Sequence, residues 1–222
     1  MIVVKLGTGV LRSQNDGLNR GVFVSVLKQI AQLRAQRIDV VVVSSGAIHS
    51  ARVSIARHTS TRMLKELSEP ALASVGQPLL MQEWIAAGFS LTPPLFVAQV
   101  LPTDASISNR HEWHNSAQVI FDCLKHGVVP IINYNDPLSF AAIELLLKQA
   151  TDNDKLTADF APHIGAKAVM FLTEAGGVHD GHPANGGTRL YQEIDWRNPP
   201  FLEESGASHG RGGMKAKVVF AI

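Results

Sequence analysis

Three clusters set charged side chains beside small residues, and each suits the handling of an anion. The first is Lys5, embedded in the apolar run Ile2-Val3-Val4-Lys5-Leu6 and followed by Gly7, Thr8 and Gly9. A β-type run that ends in a lysine and then in glycines delivers one ammonium to a backbone that phosphate oxygens can approach closely. The residues match neither GxxxxGK[ST] nor GxGxxG, so neither a Walker A loop nor a dinucleotide fingerprint is indicated. The second cluster is Arg211-Gly212-Gly213-Met214-Lys215-Ala216-Lys217, where glycines precede lysines at an expected helix start. Backbone amides, the helix dipole and side-chain charge would act together there, although a turn before a basic surface helix is the plainer reading. The third is Asp152-Asn153-Asp154 ahead of a helical stretch. Capping needs one carboxylate, so the second is available to hold a lysine or a polar substrate.

Asn133-Tyr134-Asn135-Asp136 is a turn by composition, but it closes a buried strand. Nine histidines show no HxxxH, HExxH or Cys/His spacing, and His111 and His114 lack a third ligand, so no protein-held metal is expected. No GxSxG elbow points to a serine hydrolase.

The elements that must position these groups follow from hydrophobic periodicity. Asn19 caps a helix running to about Arg37, and residues 40–43 form a wholly apolar strand, giving a strand–helix–strand unit and a parallel sheet covered on both faces. Further strands are expected at 95–101, 128–132 and 168–172, and helices at 116–126, closed by Gly127, and at 155–164. The span 140–150 is an ambiguous short helix, and another helix begins at 213–221. Residues 49–62 are mixed and polar and read as surface, while 71–87 reads as a helix that Pro78 kinks or restarts. Four strands end in polar or glycine-rich turns on the carboxyl edge of the sheet, where ligands of such sheets collect. Residues 176–213 read as a long binding or lid loop.

The totals allow this arrangement. With 222 residues, 45% of them hydrophobic, the chain can bury the core of one large α/β domain. A net charge of +1, with basic residues scattered, supplies no general field for nucleic acid or membrane. The single cysteine, Cys123, reads as a buried packing thiol; no signal segment precedes the first strand and no apolar run spans a bilayer, so a cytoplasmic protein is expected.

As a set the residues resemble the amino acid kinase family, and within it the branch that phosphorylates the side-chain carboxylate of glutamate. The resemblance rests on Val4 through Val10, Val43-Ser44-Ser45-Gly46-Ala47-Ile48, Val75-Gly76-Gln77, Ala98-Gln99-Val100-Leu101, Val128 through Asn133, Asn135-Asp136, Asp152-Asn153-Asp154 and Gly210 through Lys217. It implies a three-layer αβα sandwich with a mostly parallel central sheet, ATP over its carboxyl edge and L-glutamate facing the γ-phosphate. Lys5 and Lys217 would stabilise the moving phosphoryl group and Asp154 would hold them. Gly7, Thr8 and Gly9 would cradle phosphates, and Thr173, Glu174 and Arg211, Gly212, Gly213, Met214, Lys215, Ala216 and Lys217 would contact the nucleotide. Ser45, Gly46, Asp136 and Asn153 would face glutamate, and Mg²⁺ would arrive mainly on the phosphates.

Several positions depart from the family pattern. Tyr134 stands where a glutamate is usual, Glu174 where an aspartate is usual, and His49-Ser50-Ala51-Arg52 replaces small residues. Residues 1–222 are expected to form a single domain, ending before a further strand and helix and without the RNA-binding-like domain of longer relatives. A homo-oligomer is expected. The alternatives left open are a relative acting on another carboxylate or phosphate acceptor, and a shortened nucleotide-binding relative without turnover.

Overall fold

A computed structural model of the chain describes residues 1–13, 17–59, 61–138, 153–181, 188–195, 197–200 and 218. Five short strands form one sheet: β1 (Ile2–Leu6), β2 (Val40–Ser44), β3 (Val97–Val100), β4 (Val129–Ile132) and β5 (Val169–Leu172). The order is β3-β4-β2-β1-β5 and every pairing is parallel. Helices α1 (Thr8–Leu11), α2 (Arg20–Ala35), α3 (Ala47–His58), α4 (Thr61–Glu66), α5 (Glu69–Phe89), α6 (Asp104–Ser108), α7 (Arg110–Lys125) and α8 (Asn153–His163) complete the described elements.

Strand alternation sorts the core into two layers. Val4, Leu6, Val40, Val42 and Ile131 meet Phe23, Leu27 and Ile30 of α2 and Leu80 and Trp84 of α5. Val3, Val41, Val43 and Ile132 meet Trp113 and Ile120 of α7 and Leu156 and Phe160 of α8. The sheet is thus covered by helices on both faces, as the four consecutive buried valines of β2 require. Among the described residues no helix is long and apolar enough to cross a membrane.

The expected strands are present within a residue or two at each end. Asn19 caps α2, its side-chain oxygen accepting from the Gly21 N–H at 3.1 Å. Other expectations need correction. Residues 49–62 are not surface throughout: exposed positions such as Arg52, Arg57 and His58 share α3 with Ser50, Ala51 and Ile55, which are buried against α5. Nor does Pro78 interrupt its helix: α5 runs unbroken for 21 residues. Its first half is held by α3 through Leu72, Ala73 and Gly76, and its second half by the sheet through Leu80 and Trp84, so packing outweighs the missing N–H. The seventh helix starts at Arg110, six residues before the expected 116, because Asn109 caps it. Cys123 is half-buried; burial, with Asp122 adding to it, pushes its thiol pKa up. The span 140–150, all of 213–221 but residue 218, and most of 176–213 lie outside the described residues.

Close approach of α3 and α5 depends on Gly76. A Cβ there would fall 2.6 Å from the Ala47 carbonyl carbon and 2.9 Å from the Ala51 nitrogen. Gly76→Ala is therefore expected to cost about 1–3 kcal/mol in urea unfolding, despite a helix-propensity gain of about 1 kcal/mol. Unchanged stability would show that the two helices have room to separate.

Candidate active site

Lys5 lies in register with Val43 of β2 and Phe171 of β5, on the face that packs against α8. Only 3% of it is exposed, so its ammonium needs a counter-charge within the protein. Asp154, fully buried in the first turn of α8, supplies it: Lys5 Nζ pairs with Asp154 Oδ1. The neighbouring Asn153 projects about 100° away around the helix axis, and this sends the two side chains to different strands.

Asn153 joins the ends of β2 and β4. Its Nδ2 donates to Ser45 Oγ at 3.0 Å and to Asn133 Oδ1 at 2.9 Å, while the Tyr134 N–H donates to Asn133 Oδ1 at 2.9 Å and to Asn153 Oδ1 at 3.3 Å. Asn133 Nδ2 continues the chain by donating to Gln77 Oε1 of α5 at 2.7 Å. Thr157 Oγ1 donates to the Asn153 carbonyl at 2.5 Å and steadies the helix start. Gly46 then turns the chain from β2 into α3 at φ +113°, a conformation that favours glycine.

Beyond Gly46 a cleft of about 260 Å³ opens between α5 and the ends of β3 and β4, lined by Ala47, Gln77, Gln99, Tyr134 and Asp136 among others. Burial pushes the Asp136 carboxyl up from an ordinary 3.8 to about 6. A carboxylate held under such a penalty gains most from a cationic ligand.

On the other side of Lys5, the first glycine loop is less open than expected. Gly7 is the extended N-cap of α1, so Thr8 and Gly9 are the first two residues of a single helical turn. A Cβ on Gly7 would lie 3.8 Å from Lys5 Nζ, and one on Gly9 would lie 2.6 Å from the carboxyl carbon of Glu174. The bare Cα of Gly9 therefore already receives a carboxylate. Thr173 Oγ1 is enclosed beside this loop and has no hydrogen-bond partner among the described residues.

Lys5, Asp154, Asn153 and Ser45 come together at the carboxyl edge, with Gly7 and Gly46 beside them and Asp136 in the adjoining cleft. Thr173 and Glu174 follow β5, next to the first loop. Asp152 and the whole second lysine cluster, Arg211 through Lys217, lie outside the described residues. Two participants carried no predicted role, Asn133 and Gln77. A glutamine directly after the close-packed Gly76 of α5 is the available signal for Gln77.

If the ion pair is as tightly coupled as its burial implies, Lys5→Met and Asp154→Leu each strand a charge. Each is expected to lower the unfolding free energy by about 3–5 kcal/mol, while the double variant regains most of the loss. Additive losses in urea titrations would contradict the coupling.

Comparison with known proteins adds a second line of argument. Glutamate 5-kinase of Bordetella petrii is 33% identical over 224 residues and that of Hydrogenovibrio crunogenus 32% over 223, in both cases across 99% of this chain. The chain spans 57% of the length of these curated relatives. Among solved structures, T. acidophilum isopentenyl phosphate kinase in a product complex superposes with a TM-score of 0.58 at 16% identity, covering 89% of this chain and 80% of that one. Carbamate kinase from Giardia lamblia bound to AMP-PNP gives 0.57 at 12% identity, covering 88% and 80%. These two likenesses concern the fold. The sequence profile of the amino acid kinase family matches residues 1–222, the whole chain, and the protein belongs to that family.

Proposed function

We propose that the chain transfers the γ-phosphoryl group of ATP to the γ-carboxylate of L-glutamate, yielding γ-glutamyl phosphate and ADP, the entry reaction of proline synthesis. The observation that carries the reading is the buried Lys5–Asp154 pair at the open carboxyl edge of the sheet. A buried ion pair is seldom the most stable choice for a core, so an ammonium retained there points to work on an anion. The two curated relatives support glutamate as the acceptor.

The chemistry asks little of the protein beyond alignment and charge. A carboxylate is already a nucleophile, so its oxygen attacks the γ-phosphorus without a general base as the bond to the β,γ-bridging oxygen breaks and ADP leaves. Lys5 neutralises charge on the transferring oxygens, and Asp154 keeps its ammonium in place. Lys217 is the second cation of the proposal. The fit of a nucleotide is supported by Gly7, which leaves space beside Lys5 Nζ. Thr8, Thr173 and the 211–217 segment are the further nucleotide contacts proposed. Mg²⁺ is proposed to enter on the phosphates, where it would shield their charge. Ser45, Gly46 and Asn153 face the acceptor, and Asp136 pairs with its ammonium.

Purified protein with Mg-ATP is expected to release ADP only when L-glutamate is present, and to discriminate against acetylglutamate, aspartate, carbamate and small phosphates. Preference for one of those acceptors would replace glutamate. The Lys5→Met/Asp154→Leu double variant, which should remain folded, is expected to lose at least about 10²–10³-fold in kcat. Wild-type turnover in that variant would remove Lys5 from the chemistry.

The raised pKa of Asp136 adds a pH signature. Below about pH 6 the carboxyl is neutral and cannot pair with an ammonium, so kcat/KM for glutamate should fall about tenfold per pH unit. Asp136→Asn should flatten that limb at a lower plateau. Because the folded pKa lies above the ordinary 3.8, the fold holds this proton more tightly than the unfolded chain does. Its stabilising effect is complete below about pH 4 and gone above about pH 6, so Asp136→Asn should stabilise the unliganded protein more at pH 8 than at pH 5.

A further inference from the structure

The hydrogen-bond chain at the sheet edge has an orientation that its own chemistry dictates. The Tyr134 backbone N–H can only donate, and both Asn133 Oδ1 and Asn153 Oδ1 lie within its reach. Both of these atoms must therefore be oxygens, and both Nδ2 groups must be donors. Asn133 Nδ2 gives a hydrogen to Gln77, so the atom it meets at 2.7 Å is Gln77 Oε1. With its oxygen so engaged, Gln77 cannot flip, and its Nε2 faces away from Asn133 as a pure donor. That nitrogen is enclosed and has no hydrogen-bond partner among the described residues. An enclosed N–H without an acceptor is unfavourable until an oxygen reaches it.

Gln77 also lines the cleft that holds Asp136. The cleft thus combines a carboxylate that burial disfavours as an anion with an amide that has only hydrogens to offer. This combination is complementary to the two groups on the α-carbon of an amino acid, an ammonium and a carboxylate. At the other end of the relay Ser45 Oγ receives a hydrogen from Asn153 and keeps its own to donate. Opposite ends of one rigid relay would then address opposite ends of one small molecule.

We propose that Gln77 Nε2 donates to the α-carboxylate of the amino acid acceptor, and that Asn133 is the positioning residue that keeps this amide in the donating orientation. The assignment rests on the reading of an α-amino acid as acceptor. It makes Gln77 a determinant of acceptor specificity that does not touch the reacting phosphoryl group.

Two variants invert the amide end without removing the relay. Gln77→Glu keeps the oxygen that Asn133 needs and turns the donor into an acceptor; Asn133→Asp removes the donor and so draws the Gln77 amide hydrogens toward itself. Calorimetry without nucleotide would compare L-glutamate with its α-amide, which keeps the γ-carboxylate and the ammonium. Wild-type protein is expected to bind glutamate about 10- to 100-fold more tightly than the α-amide. Both variants should lower that ratio by at least about tenfold, whereas a merely structural role would weaken both ligands alike. Equal wild-type affinities, binding of neither ligand, or a ratio unmoved by Gln77→Glu would overturn the proposal. Phosphoryl transfer is read separately. A Gln77-dependent ratio without turnover would remove the kinase reading and leave this contact standing, and turnover with an unmoved ratio would do the reverse.

Discussion

An ammonium inside the sheet is the constraint on which the arrangement depends. Lys5 sits on β1, between β2 and β5 of a parallel sheet, where neither water nor backbone can neutralise it. Desolvation of a lone lysine there would cost several kcal/mol, so α8 must start where Asp154 can reach it. That requirement fixes the position of Asn153 in the same helical turn, and through Asn153 it ties down the ends of β2 and β4. One charge thus organises three strand ends.

The departures from the family pattern take on a different weight in this setting. At position 134 the relay uses the backbone N–H, which any residue other than proline supplies. The Tyr134 side chain is buried in the apolar cluster under α7 and α8, so the missing carboxylate leaves the relay intact. Likewise, the unusual residues after Gly46 belong to a packed helix, where Ser50 Oγ donates to the Gly46 carbonyl at 2.8 Å and secures the turn out of β2. Both replacements are structural solutions beside the site. Glu174 differs in kind, since its carboxylate rests against the first glycine loop itself.

Legibility followed the range of the forces involved. The valine run of β2, the Asn19 cap and the strand ends are local signals, and the structure has them where periodicity puts them. The surface reading of residues 49–62 holds only in part, because α3 buries small and polar residues, Ser50 and Ala51, whose burial is decided by the approach of α5. Pro78 misled for a related reason: its intrinsic helix-breaking cost is real, but two separate packing surfaces hold the helix on either side of it.

The sequence by itself determined the parallel α/β class and placed Lys5 at the carboxyl edge of the sheet, because strand periodicity and charge type are properties of neighbouring residues. The Lys5–Asp154 pair is one that the family resemblance already implied, and only the tertiary structure decided that Asn133 and Gln77 join the relay beside it. It also decided that Asp136 lies where burial raises its pKa. The physical reason is that desolvation and hydrogen-bond direction depend on groups distant in the chain, 56 residues apart for Asn133 and Gln77 and 108 for Ser45 and Asn153, which meet only when the sheet has closed over them.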